Sequence, residues 1–91
     1  MAEVLTDRQD LARFELALGE QVAFIRYQRR DGVLLLTHAE VPPELAGQGI
    51  GSRLTAAVLD QVRARGVRVV ARCPFIAAFI DRNPAYRDLL A

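Results

Sequence analysis

A mixed α+β domain with the element order β-β-β-α-β-α is predicted by three features of the sequence. Apolar residues alternate with period two through the first half of the chain, a helix-period stripe follows a glycine-rich loop, and a second alternating run leads into another helical segment. Together they specify an antiparallel meander plus a fourth strand, parallel to the third and reached by a right-handed helical crossover.

In the first predicted strand Phe14, Leu16 and Leu18 share one face, with Arg13, Glu15 and Ala17 on the other. Gly19-Glu20 closes a hairpin into the second, Gln21 to Arg29, where Val22 and Phe24 oppose Ala23, Ile25 and Tyr27. Asp31-Gly32 is the strongest hairpin signal, because a tight two-residue turn favours residues that tolerate positive φ. The third strand, Val33 to Val41, opens with Val33, Leu34, Leu35 and Leu36, a run that suggests burial on both faces and a central place in the sheet. Pro42-Pro43 ends it, since neither residue can donate to a ladder.

A loop over Glu44 to Gly51 leads into a helix starting near Ile50 to Ser52, whose Ile50, Leu54, Val58 and Val62 form one apolar stripe. Arg63 and Arg65 suit the negative end of its dipole, and Gly66 suits a left-handed terminator. The fourth strand, Val67 to Cys73, puts Val67, Val69, Ala71 and Cys73 on one face and Arg68, Val70 and Arg72 on the other. Pro74 fits the first turn of a second helix, Phe75 to Arg82, with Cys73 at its cap. Asn83-Pro84 breaks that helix and starts a short terminal one, Ala85 to Leu90.

At 91 residues and 10.1 kDa, the chain suits a single domain with one modest core. Hydrophobic residues at 52% and charged residues at 25% fit a packed globule and not a disordered chain. No apolar run approaches the ~18 residues of a membrane span. The acidic, polar stretch Met1 to Asp10 lacks the basic and apolar regions of a secretory signal, so the expectation is a cytoplasmic protein with no membrane partner. One cysteine, Cys73, and one histidine, His38, leave neither an internal disulfide nor a zinc cluster, and no metal is expected.

A net charge of +1 is too small for electrostatics alone to suggest nucleic acid. The first 45 residues carry five Arg and eight acids, and the remainder seven Arg and three acids, so an anionic ligand favours the second half. Every basic residue is Arg, which excludes lysine chemistry.

The loop Ala46-Gly47-Gln48-Gly49-Ile50-Gly51-Ser52 lies between a strand and a helix, where unpaired N–H groups and the positive end of the dipole converge. Its glycines remove the Cβ atoms that would hold a phosphate away from the backbone, and a pyrophosphate is the natural guest; the plain alternative is a tight turn. A Walker A loop needs a lysine, and the dinucleotide fingerprint fails because Ser52 stands where its third glycine belongs.

The stretch from Val41 to Leu54, followed at a helix's distance by Cys73-Pro74-Phe75-Ile76-Ala77-Ala78-Phe79, resembles the minimal branch of the GNAT superfamily of N-acetyltransferases. That branch consists of stand-alone domains of about this length, and the resemblance runs from Phe14 to Leu90. It implies a minimal GNAT-like fold, acetyl-CoA (acetyl-coenzyme A) as acyl donor and an unidentified amine as acceptor. In the superfamily the loop binds the coenzyme A pyrophosphate. Gly49 and Gly51 match its small positions, while Ala46 stands where Arg or Gln is usual, leaving a backbone N–H to serve there. The same resemblance implies that Glu40 and Val41 offer backbone groups to the pantetheine arm, in a wedge where the third and fourth strands splay apart.

His38 shares a strand face with Leu34, Leu36 and Glu40 by alternation. Acetyl transfer to an amine requires removal of an ammonium proton, a task for neutral imidazole, and Glu40 can orient it. A lone histidine at a strand end can equally be structural. Cys73, at a helix cap where the dipole favours thiolate, can attack a thioester, protonate a departing thiolate or simply fill a core. The resemblance makes both His38 and Cys73 catalytic candidates. It also implies a general-acid Tyr where this chain has Phe79, so that role falls to Cys73, Tyr86 or water. Phe75 and Phe79, at i, i+4 spacing, read as core residues ahead of cofactor contacts, and Asn83 as a cap for the last helix ahead of a cofactor contact.

Two other functions fit the same residues. One is a coenzyme A or acyl-coenzyme A binding module with little catalysis, motivated by Ala46 and Phe79. The other is an Arg-rich electrostatic binder of nucleic acid or protein, motivated by Arg63, Arg65, Arg68 and Arg72.

Overall fold

A computed structural model describes residues 4–91. Five strands form one sheet in chain order: β1 (Leu5–Arg8), β2 (Arg13–Leu18), β3 (Gln21–Arg30), β4 (Val33–Glu40) and β5 (Arg68–Ala71). Neighbours are antiparallel except β4 and β5, which are parallel. Helix α1 (Ile50–Arg65) connects β4 to β5, and α2 (Pro74–Arg82) follows β5. Two 3₁₀ turns, Pro43–Leu45 and Pro84–Leu89, complete the chain. This is the α+β architecture expected, with one strand more than the alternation predicted.

The additional strand is β1, inside the stretch read only as acidic and polar. Leu16 and Phe14 of β2 pair with Leu5 and Asp7, so the two residues that β1 turns inward are one leucine and one carboxylate. An apolar-alternation test cannot register that pattern. Residues 1–3 of the same stretch lie outside the described residues.

The turns follow their chemistry. Asp31 (φ 53°) and Gly32 (φ 78°) both lie in the left-handed region, as a type I′ hairpin turn requires. Helix α1 ends at Gly66 (φ 70°), whose N–H donates to the carbonyls of Arg63 and Val62.

The predicted α1 stripe is buried throughout, with Leu54, Val58 and Val62 at 0% exposure, and Leu59 and Thr55 join it. It packs against Phe14, Leu16, Ile25, Leu36 and Val69 on one face of the sheet, and Ile76, Phe79 and Ile80 bring α2 into the same core. Full burial of one such leucine stabilises the fold by roughly 1.5–3 kcal/mol. Leu34, Leu35 and Leu36 are all buried because β4 lies between β3 and β5.

The alternation of β4 breaks at Thr37. Leu36 pairs with Tyr27 but His38 pairs with Arg26, so Thr37 is the extra residue of a β-bulge. Beyond it the faces exchange. Ala39 and Val41 pack against the core, while His38 and Glu40 stand beside Arg26 and Phe24 on the other face. This corrects the expectation that His38 and Glu40 share a face with Leu34 and Leu36; only the pairing of His38 with Glu40 survives.

Strand β5 is shorter than the expected Val67 to Cys73, and its edge is covered in part by the C-terminus. Val69 forms a parallel bridge with Leu90, and Ala91 N–H donates to the Val69 carbonyl at 2.9 Å. The terminal segment is a 3₁₀ turn and not an α-helix.

Candidate functional site

The glycine loop stands where β4 ends and α1 begins. Its first part is a 3₁₀ turn closed by Leu45 N–H to the Pro42 carbonyl (2.9 Å) and Ala46 N–H to the Pro43 carbonyl (3.2 Å). The Ala46 N–H is therefore already committed, contrary to the expectation that it serves an anion. Donors begin after it.

Gly47 (φ 82°) and Gly49 (φ 74°) adopt left-handed conformations, which swing the chain from the 3₁₀ turn into α1 with Gly49 as its cap. The first helical donor is Arg53 N–H, which bonds the Gly49 carbonyl at 3.1 Å. The N–H groups of Ile50, Gly51 and Ser52 precede it, so the helix itself cannot satisfy them, and they project at the positive end of a 16-residue helix. Such an arrangement takes an anion well.

A cleft of about 290 Å³ opens on this loop, lined by Val41, Leu45, Phe75 and the loop residues Ala46, Gly47 and Gly49 to Ser52. Phe75 departs from its expected place in the core. Phe79 is 6% exposed and packs on the Tyr86 ring at 5.8 Å, as a core residue should, whereas Phe75 is 41% exposed and belongs to the cleft. The buried stripe of α2 is Ile76, Phe79 and Ile80, at i, i+3, i+4 spacing. Phe75 precedes that stripe in the first turn of α2, where the core ends.

Next to the loop the sheet opens. Pairing of β4 with β5 runs from Val33 to Leu36 and no further. There the Leu36 carbonyl accepts both Arg72 N–H and Cys73 N–H at 3.0 Å, and the chain leaves the sheet for α2. The rest of β4, from Thr37 to Glu40, keeps β3 on one side and has no β5 partner on the other. Glu40 and Val41 thus border an opening between the two strands.

His38 Nε2 lies 3.2 Å from Glu40 Oε1, with both side chains more than half exposed. The His38 ring is 6.2 Å from that of Phe24, which in turn lies beneath the guanidinium groups of Arg13 and Arg26. Cys73 caps α2, as the sequence predicts, but its side chain is 7% exposed and packs in the core. His38 and Cys73 therefore approach the opening from opposite faces of the sheet.

Tyr86 is elsewhere. Its hydroxyl donates to Asp60 Oδ1 at 2.9 Å, and burial first, then that bond, hold its pKa above the ordinary phenol value. Asp60 lies ten residues beyond Ile50, roughly 15 Å along α1. Tyr86 is thus remote from the glycine loop, with its ring 5.8 Å from that of Phe79. Asn83 caps as expected but at the other helix, its Nδ2 donating to the Phe79 carbonyl at 2.8 Å. Among the described residues no cluster of three or more His, Cys, Asp or Glu side chains could hold a metal, and no helix is long and apolar enough to cross a membrane.

Comparisons with known proteins agree with this geometry. The solution NMR structure of a GCN5-like protein from Staphylococcus aureus superposes with a TM-score of 0.69 and 28% identity, over 88% of this chain and 81% of that one. Protein NATD1 of Bos taurus is 39% identical over 49 residues, 54% of this chain and 43% of the relative's length. The family model for GCN5-related N-acetyltransferases matches residues 13–89, a stretch that holds β2 to β5, both helices and the glycine loop. The chain belongs to the GCN5-related N-acetyltransferase family.

Proposed function

We propose that this chain is an acetyl-CoA-dependent N-acetyltransferase that moves an acetyl group onto an amine. The observation that carries the reading is the adjacency of two features: a loop whose Ile50, Gly51 and Ser52 N–H groups have no backbone acceptor, and a strand edge that loses its β5 partner after Leu36. A diphosphate bound by the first and an extended amide-containing arm hydrogen-bonded along the second describe coenzyme A. The residues fit that group. The backbone of 47–52 supplies donors without Cβ atoms at 47, 49 and 51, and the edge at Glu40 and Val41 supplies strand-like partners.

When bound, the thioester supplies the activated acyl group. His38 takes the proton that an ammonium acceptor must lose, and Glu40 orients the ring. Cys73 stands on the other side of the opening, where its thiol either protonates the departing thiolate or accepts the acetyl group itself. Both helices pack on the face opposite His38, which leaves the His38 side open to an amine carried on a large acceptor such as a protein side chain.

A thermal-unfolding series tests the ligand. At a hundred times its Kd, acetyl-CoA adds about 2.7 kcal/mol, a shift of roughly 10–20 °C for a domain of this size. ATP at the same concentration serves as the phosphate control and should shift the midpoint far less. Absence of any shift with millimolar acetyl-CoA rejects the reading. Mass spectrometry after incubation, with or without acetyl on Cys73, separates the two roles of that thiol.

The second reading, a coenzyme A binding module with little catalysis, is favoured by the separation of His38 and Cys73 onto opposite faces. Binding without transfer to any of a panel of amines selects it.

A further inference from the structure

We propose that Phe75 is a positioning residue of the cleft, the apolar wall that holds the branched pantoate segment of coenzyme A beside the diphosphate, and that Gly51 is a glycine for the sake of this ring. The inference rests on the coenzyme A reading above and adds to it a residue and the part of the ligand it meets.

Gly51 supplies the first step. Gly47 and Gly49 have positive φ and open space where a methyl group would project, so their glycines answer to the backbone. Gly51 is the reverse case. Its φ is ordinary for a helix, and a Cβ built on it would lie 2.9 Å from Phe75 Cζ and 3.3 Å from Cε1. A side chain at this position would have to push the ring aside. The first turn of α1 and the first turn of α2 thus meet through Gly51 and Phe75.

The second step is exposure. An aromatic side chain 41% exposed, on a helix whose other large apolar residues are buried, leaves a face without a protein partner. That face borders the cleft, together with Val41, Leu45 and Ile50. A site with bare N–H donors on one side and four apolar side chains on the other suits a ligand in which a diphosphate is followed directly by alkyl carbon. In coenzyme A the diphosphate is esterified to a methylene that carries the gem-dimethyl carbon of pantoate.

Direction along the ligand follows from where α2 begins. Phe75 comes two residues after Cys73, whose N–H is bonded to the Leu36 carbonyl at the end of the β4–β5 pairing. The ring therefore stands between the loop and the opening, on the path of the pantetheine arm. With the diphosphate on the loop and the arm in the opening, the adenosine would lie on the far side of the diphosphate.

The test combines calorimetry with NMR on the full chain. The wild-type protein is titrated first with coenzyme A; no binding there overturns the underlying reading before any variant is made. Phe75→Ala is then expected to weaken coenzyme A by about tenfold, and Gly51→Ala, which displaces the ring, by a similar factor. Added to Phe75→Ala, Gly51→Ala should cost little more, because the two act through one contact. Phe75→Leu, which keeps apolar volume at a surface position, should bind between the two extremes and guards against a folding defect. In the wild-type complex, isotope-filtered NOEs should connect the pantoate methyl protons to the Phe75 ring. Coenzyme A affinity unchanged in Phe75→Ala, or NOEs from the ring to adenine protons instead, overturns the proposal.

Discussion

Asp7 Oδ2 accepts a 2.8 Å hydrogen bond from Arg65 Nη1, joining residues 58 apart in sequence. The same carboxylate accepts a 2.6 Å bond on Oδ1 from the Tyr27 hydroxyl, and the Asp7 side chain is 6% exposed. Arg65 also lies over the Phe14 ring, 5.7 Å from its centroid. One acid in an edge strand thus ties β1 to β3 and to the last turn of α1. Asp7→Ala leaves a phenol and a guanidinium without their acceptor and should destabilise the domain by about 2–3 kcal/mol. Asp7→Asn keeps a polar acceptor and should cost less. Urea melts of the three proteins give the comparison, and a loss below about 0.5 kcal/mol for Asp7→Ala would show the clamp to be incidental.

The same contact has a signature at high pH. Burial, and after it the hydrogen bond and charge of Asp7, raise the Tyr27 pKa above the ordinary phenol value. A folded pKa above the unfolded value near 10 means the stabilisation is complete below about pH 10 and is lost as pH rises through the folded pKa. Tyr86, raised by burial and by Asp60, adds to the effect in the same direction. Denaturant midpoints should therefore be flat from pH 8 to 10 on this account and fall above it. Tyr27→Phe, less stable at neutral pH by its lost bond, should show a shallower alkaline decline. Parallel declines in the two proteins would assign the alkaline loss to other groups.

Much of this architecture is legible in the sequence because each predicted element carries its own signal. Gly66, Arg63 and Arg65 mark the end of α1, Asp31-Gly32 marks a hairpin, and Pro74 marks the start of α2. What the sequence hides is hidden for physical reasons. Strand β1 is held by a charge facing inward, and period-two patterns count only apolar residues. The face of His38 is inverted by a single unpaired residue, Thr37, and a bulge with no glycine leaves no mark in a one-dimensional pattern. The exposure of Phe75 and its closeness to Gly51 depend on how the two helices meet, which spacing within α2 cannot express.

Gly47 and Gly49 separate backbone strain from crowding. Each has positive φ and nothing within 4 Å of an added Cβ, so alanine there meets no clash. The cost is conformational, about 1–2 kcal/mol at each position for an L-residue held left-handed. Gly47→Ala and Gly49→Ala should therefore lower thermal stability by similar amounts, or else relax the loop and weaken coenzyme A binding. Asn, which tolerates this region, should restore part of the loss at either site. Loss of ligand affinity in Gly49→Ala with Gly49→Asn fully affected as well would point to a need for bare backbone at the anion, and equal stability in all variants would contradict the φ argument.

His38 and Glu40 make the most direct test of catalysis, because both are exposed and can be changed with little effect on folding. If His38 removes the ammonium proton, His38→Ala should lower kcat by about 10²–10³ while coenzyme A affinity stays close to wild type. Glu40 acts through the ring, so Glu40→Gln should cost less, and the double variant should be no slower than His38→Ala alone. Cys73 differs in kind. Its side chain is in the core, and Cys73→Ala removes packing as well as a thiol. Cys73→Ser keeps the size and a hydroxyl proton but not the sulfur nucleophile. Activity retained in Cys73→Ser and lost in Cys73→Ala favours proton donation, while activity lost in both, with folding intact, favours acetyl transfer through sulfur. Full activity in His38→Ala and in both Cys73 variants would show that transfer needs neither side chain and would overturn the roles assigned to His38, Glu40 and Cys73.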